Sequence, residues 1–359
     1  MPNTLDRVTL SITCRDRSAP AGRHGGRRCR ILDDVTVRGL VLATLLVVVL
    51  ACAPATSSGP PSTGTTAAEP AAVLGPAPPD CGAELPGFTR HTVAVHGVVL
   101  HVALGGPPTA PPVVLLHGFP ETWRTWSGVA GDLAADHRVV LPDLRGVGCS
   151  SFAPAATPDA YDKRSMAADL AALVDALRLA PATVVGHDMG AMTAFAWARA
   201  RPDQVARLGL SGGGVPGYGL TELGPPHLAT FAAPPGQVAR SVAGREREFL
   251  TRFVASPAVE RSGALDDAVR AYSRPGRLDA ALGQYRALAR DAADNRADPR
   301  PLPMPVLALS GGAPDISAAT VAALAPRLSV TVVPEAGHYV QQERPRAVAA
   351  EIRAFAAGV

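Results

Sequence analysis

Lysine is almost absent from this chain: of 34 basic residues only Lys163 is not an arginine, a bias we read as coding composition rather than function. A basic excess is also missing from the body of the protein. Residues 1–51 hold eight Arg against four Asp, which leaves 26 basic and 27 acidic groups over the rest. That balance offers no electrostatic footprint for nucleic acid. The uncharged apolar stretch 39–50 has twelve residues, too few for a bilayer span, which takes about twenty. Internal repeats are absent. Gly and Pro number 35 each, but they concentrate near the N-terminus and in short breaks between apolar runs, which excludes a collagen-like or low-complexity chain. What remains is 47% hydrophobic and 18% charged over 359 residues, a balance that excludes wholesale disorder and supplies a substantial core.

The stretch 39–50, preceded by Arg38, reads as the apolar region of a secretory signal. Val49-Leu50-Ala51-Cys52 resembles the bacterial lipobox, in which the cysteine is acylated and becomes the new N-terminus. Residues 1–51 are therefore expected to be a leader with a signal peptide, and the protein to be exported and tethered on the extracytoplasmic face through lipid on Cys52. Ordinary secretion and an uncleaved anchor are the alternatives. Residues 52–86 are Pro-, Ala-, Ser- and Thr-rich without apolar periodicity and are expected to form a flexible linker. Cys81 and Cys149 are a candidate disulfide pair in such a compartment, although Cys149 equally suits a small buried position, and spacing does not decide between the two.

From residue 88 on, short apolar runs alternate with amphipathic stretches, the pattern of an α/β sheet with helical crossovers. Strands are predicted near 91–95, 98–104, 112–116, 138–141, 182–186, 206–210, 305–309 and 329–333. Helices are predicted near 124–135, 163–179, 190–201, 317–326 and 343–356. The stretch 215–300 breaks the alternation, being rich in helix formers and turn signals. The expected organisation is a core of 87–214 and 301–359 with a helical cap of 215–300.

Val184-Val185-Gly186-His187-Asp188-Met189-Gly190 is a buried-strand pattern ending in Gly-X-Asp-X-Gly before a helical run. It reads as a nucleophile elbow carrying Asp where esterases carry Ser. A carboxylate can attack saturated carbon and become an ester itself, so Asp188 implies an alkylated intermediate. Val113-Val114-Leu115-Leu116-His117-Gly118-Phe119-Pro120 ends an earlier strand where an oxyanion loop belongs. The backbone N–H groups of Phe119 and Met189 would stabilise the oxyanion formed as water attacks the ester. Gly337-His338, after the last predicted strand, stands where the general base belongs in the order nucleophile, acid, His. His117 and His187 flank the site and are expected to support or pack against it.

These motifs together resemble the α/β-hydrolase fold, a mostly parallel sheet with flanking helices and a helical cap insertion, and within it the epoxide hydrolase and haloalkane dehalogenase branch. Pro142-Asp143-Leu144-Arg145-Gly146 is similar to a segment common across that branch. In the cap, Gly283-Gln284-Tyr285-Arg286 resembles the motif from which epoxide hydrolases present a ring-opening Tyr. Gly244 to Leu250 and Ala271 to Pro275 resemble segments of secreted bacterial epoxide hydrolases of the cystic-fibrosis channel inhibitory factor type, and counting back from Gly244 places His227 where that group has a second ring-opening donor. The resemblance thus implies Asp188, His338, Tyr285 and His227 as catalytic groups, a small-molecule epoxide as substrate, and no metal or organic cofactor. One position departs from the group: its triad acid is a Glu just after the strand following the nucleophile, and here the run is Ser211-Gly212-Gly213-Gly214. Asp315, after the next strand, is the remaining candidate to orient His338.

A haloalkane-type dehalogenase would share Asp188 and His338, but typically has Trp directly after the nucleophile, where this chain has Met189. A fluoroacetate-type enzyme would want Arg beside the nucleophile and an Arg pair for the carboxylate. A lipid-tethered binding protein that kept the fold without the chemistry is the reading from a different class.

Overall fold

The computed structural model describes residues 12–15, 27–31, 74–153, 160–220, 226–254, 256–312 and 316–358. Strands β1 (Ile12–Arg15) and β2 (Arg27–Ile31) form a hairpin at one edge of a sheet whose other strands are β3 (Gly75–Pro76), β4 (Phe88–Val95), β5 (Val98–Gly105), β6 (Pro112–Leu116), β7 (Arg138–Pro142), β8 (Ala182–His187), β9 (Val205–Ser211), β10 (Val306–Gly311) and β11 (Leu328–Val333). The spatial order is β1-β2-β11-β10-β9-β8-β6-β7-β5-β4-β3. The run from β11 to β7 is parallel, while β5, β4 and β3 add antiparallel strands at the far edge. Each of the eight predicted strands is present within about three residues of its expected bounds, the error usual for strand ends.

Central parallel strands are covered on both faces and so read as continuous apolar runs. In β6, Val114 and Leu116 face the layer formed by α2 (Lys163–Leu177) and α3 (Met189–Ala200). Val113 and Leu115 face the opposite layer, built on Trp123, Trp126, α1 (Ser127–Leu133) and the C-terminal helix Pro345–Ala357. The helix predicted at 124–135 opens as a tight 3₁₀ turn, Trp123–Trp126, and the one predicted at 343–356 is divided at Arg344, because Pro345 occupies the first helical position and starts a new helix there.

Between β9 and β10 the chain forms seven short helices among the described residues: α4 (His227–Phe231), α5 (Gln237–Val242), α6 (Glu246–Val254), α7 (Pro257–Arg261), α8 (Ala264–Tyr272), α9 (Arg277–Arg286) and α10 (Leu288–Ala297). Their apolar faces meet Phe119, Val147, Met189, Met192 and Tyr339 in a third core, so they close over the carboxyl ends of β6 and β8. There the chain crosses from β6 to β7 on one side and returns to β8 on the other, the place where open α/β sheets form their crevice. Within the stretch read as linker, residues 74–86 are held down: β3 pairs with His91 and Thr92, and Cys81 is buried in a disulfide with Cys149. No helix of the described residues is long and apolar enough to cross a membrane. The expected lipidation site, Cys52, lies outside the described residues.

Candidate active site

Asp188 stands between the end of β8 and the start of α3 with φ 51° and ψ −118°, a backbone that non-glycine residues adopt only under constraint. The surrounding glycines impose it. A β-carbon on Gly186 would lie 2.2 Å from the Gly190 carbonyl oxygen, and one on Gly190 would lie 2.5 Å from the Leu116 and His117 carbonyl oxygens. Only a glycine pair lets α3 start this close to β6 and β8. The Asp188 carboxylate therefore projects beyond the sheet, and its Oδ1 accepts the backbone N–H of Phe119 at 2.8 Å. Met189 opens α3, so its N–H belongs to the first turn, which has no intrahelical acceptor and carries the positive end of the helix dipole.

His338 follows β11 on the turn leading to Tyr339 and faces the same cavity as Asp188. Its backbone carbonyl accepts from His187 Nε2 at 2.9 Å, and the two imidazoles lie 4.7 Å apart. His187 Nδ1 in turn donates to Glu121 Oε2 at 2.8 Å. Both partners are buried. Burial works against the charge on His187, but the Glu121 carboxylate outweighs it and raises the imidazole to about 9. Burial likewise opposes ionisation of Glu121, yet His187, Thr125 and the Gly118 N–H bring it down to about 2. With both ring nitrogens donating, His187 is an imidazolium, and a charged pair sits directly beneath Asp188 and His338.

His117 plays a quieter part: its Nε2 accepts from the Leu144 N–H and its Nδ1 donates to the Gly118 carbonyl, which fixes the loop that carries Phe119. Both flanking histidines thus support the site, as their positions in the sequence suggested. The partner that sequence reasoning did not single out is Glu121. It lies 66 residues from His187, and only the pairing of β6 with β8 brings the two together.

A cavity of about 540 Å³ is lined by Asp188 and His338 from below and by Tyr285 and His227 from the cap, with Phe119 and Phe231 among its apolar walls. Tyr285 is buried, and its ring packs edge-on against Phe119 at 5.6 Å and Phe231 at 4.9 Å. Burial first, and the Asp188 charge second, push its phenol well above the ordinary tyrosine range, so it keeps its proton. His227 is half-buried against Phe231 and Phe253; burial lowers its pKa, with Asp188 opposing. The four side chains scattered from 188 to 338 therefore share one chamber. Asp315 lies outside the described residues. Gly212, where the related group carries Glu, has φ +65°, and a β-carbon there would be 2.9 Å from both His187 Nε2 and His338 Cε1. In this backbone arrangement the space that a side chain would need is taken by the two imidazoles.

The family model described as alpha/beta hydrolase fold matches residues 111–345. A soluble epoxide hydrolase of Corynebacterium sp. (strain C12) is 30% identical over 277 residues, covering 73% of this chain and 94% of that protein. A fluoroacetate dehalogenase of Burkholderia sp. is 40% identical over 124 residues, 34% of this chain and 40% of the relative. Among solved structures, Cfl2 of Burkholderia cenocepacia is 33% identical with a TM-score of 0.71, covering 79% of this chain and 99% of its own. The chain belongs to the alpha/beta hydrolase fold family, with epoxide hydrolases among its relatives.

Proposed function

We propose that this hydrolase opens an epoxide to a vicinal diol through an ester on Asp188. The observation that carries this reading is the chamber itself: a carboxylate on a strained elbow faces a protonated phenol and an imidazole on the opposite wall. Asp188 attacks an epoxide carbon and the C–O bond breaks while Tyr285 and His227 hydrogen-bond the departing oxygen. Tyr285 gives that oxygen the one proton that it needs and regains it from His338 after the ester is hydrolysed. His338, oriented by Asp315, then takes a proton from water as it adds to the ester carbonyl. The resulting oxyanion rests on the N–H groups of Phe119 and Met189, and collapse releases the diol and restores Asp188. The place of Asp315 after β10, in the nucleophile–acid–His order, supports its role.

Intact mass spectrometry of the His338→Gln variant, incubated with epoxides and haloalkanes, tests the chemistry. The expected result is an adduct on Asp188 equal in mass to the whole epoxide, and none in Asp188→Asn. Normal turnover by His338→Gln would overturn the mechanism, and an adduct that had lost halide would name a dehalogenase instead.

The Cys81–Cys149 disulfide supports an oxidising, extracytoplasmic setting, in keeping with export and a lipid tether on Cys52. Cleavage before Cys52 would remove β1 and β2 and leave β11 as the sheet edge. Cys52→Ser is expected to move the protein from the membrane to the soluble fraction; unchanged partition would sink the tether.

A further inference from the structure

The only lysine of the chain is buried at the first position of α2, 2% exposed. Its Nζ donates to the Gln284 carbonyl at 3.2 Å and lies 3.5 Å from Asp291 Oδ2, while Asp291 Oδ1 accepts the Lys163 backbone N–H at 2.8 Å. Gln284 is in the last turn of α9, where helix carbonyls look for outside donors, and it is the residue before Tyr285. One residue earlier, Gly283 lies against the ring of Tyr161, so close that a β-carbon would be 2.7 Å from Tyr161 Cδ2. Arg145 braces this corner by donating to the Ala160 carbonyl at 2.7 Å and to Asp169 at 2.6 Å. The approach to α2 thus grips α9 at the two residues preceding Tyr285.

The identity of residue 163 is informative because of the composition around it. A chain that uses arginine at every other basic position keeps lysine here. The slot explains the exception: it presents two acceptors, the Gln284 carbonyl and Asp291 Oδ2, to the tip of a slim stem. An ammonium fits that geometry as a point charge, whereas a guanidinium brings a planar fork of five N–H donors, several of which would be buried without acceptors.

We propose that Lys163 is a positioning residue for Tyr285: by holding the Gln284 carbonyl it sets where the phenol stands over Asp188, and with that the rate of ring opening. The inference rests on the epoxide hydrolase reading above. Lys163 does not line the cavity and touches no reacting atom, so its effect falls on alkylation, which uses Tyr285, and spares ester hydrolysis, which uses His338.

Single-turnover kinetics of the full chain with styrene oxide and 1,2-epoxyhexane separate the two steps. Lys163→Met is expected to slow alkylation of Asp188 roughly 10- to 100-fold, the penalty of a misplaced group, with hydrolysis of the ester unchanged. Lys163→Arg keeps a cation beside Asp291 and so avoids the uncompensated buried carboxylate of Lys163→Met; its ill-fitting donors shift the Gln284 carbonyl, and it shows the same selective loss to a smaller degree. Added to Tyr285→Phe, either substitution causes no further slowing. Unchanged alkylation in Lys163→Arg, equal slowing of both steps, or additive loss in the Tyr285→Phe background would overturn the inference while leaving the epoxide reading intact. Wild-type protein that opens neither probe would overturn the inference together with that reading.

Discussion

At the scale of single residues, the chamber divides its work by environment. Tyr285 is walled by Phe119 and Phe231, and burial with the Asp188 charge keeps its phenol protonated. On the proposed mechanism Tyr285→Phe removes one of two donors to the leaving oxygen; kcat for an epoxide is then expected to fall roughly 10²-fold or more, with KM little changed, as steady-state kinetics would register. Glu121 and His187 act differently, lying outside the lining of the chamber and bracing it from beneath through the His338 carbonyl. Glu121→Gln leaves a buried imidazolium without its counter-charge, a change expected to cost about 3–5 kcal/mol of stability, measurable by denaturant unfolding. The same pair sets a pH window. His187, raised to about 9, contributes stability in full below its ordinary 6.5 and loses it as pH climbs through 9. Glu121, lowered to about 2, contributes above its ordinary 4.5 and loses it as pH falls through 2. These are two views of one ion pair, counted once, so unfolding free energy should be flattest between about 4.5 and 6.5 and fall on either side. A Glu121→Gln variant should lose the alkaline shoulder.

At the scale of elements, the strands were legible because a parallel sheet buries both faces and writes itself as uninterrupted Val and Leu. The elbow was legible because Gly186 and Gly190 bracket Asp188 at a spacing that only a strand-to-helix turn requires. Glu121 was not, since one Glu in a loop carries no signal of a partner 66 residues away. Gly212 could be read as a missing acid, but not the crowding there, where a β-carbon would lie 2.9 Å from each of two imidazoles. The disulfide was undecided for a similar cause, because two cysteines 68 residues apart say nothing of the 5.5 Å between their α-carbons. It closes a long loop and therefore restricts the unfolded chain strongly, a contribution of about 2–4 kcal/mol. Arg274, which donates to the Gly148 carbonyl, and Arg124, which pairs with Asp267 of α8 at 3.2 Å, extend that anchor to the cap. Reductant, or Cys149→Ser, is expected to lower Tm by several degrees, and reductant should then have no further effect on Cys149→Ser.

At the scale of the whole molecule, the parallel sheet supplies a floor that holds Asp188 and the cap brings Tyr285 and His227 over it, so the proposed reaction needs two separately packed cores to meet. The fastening at residue 81 adds a mechanical property to this arrangement. A pull on the chain N-terminal to β3 meets two residues of strand pairing and then a covalent bond to Cys149. The load passes across that bond into the loop after β7, and β4 is never peeled from β5. A protein drawn by a leash would in this way yield its short outer strand while the sheet and the chamber above it stay in register.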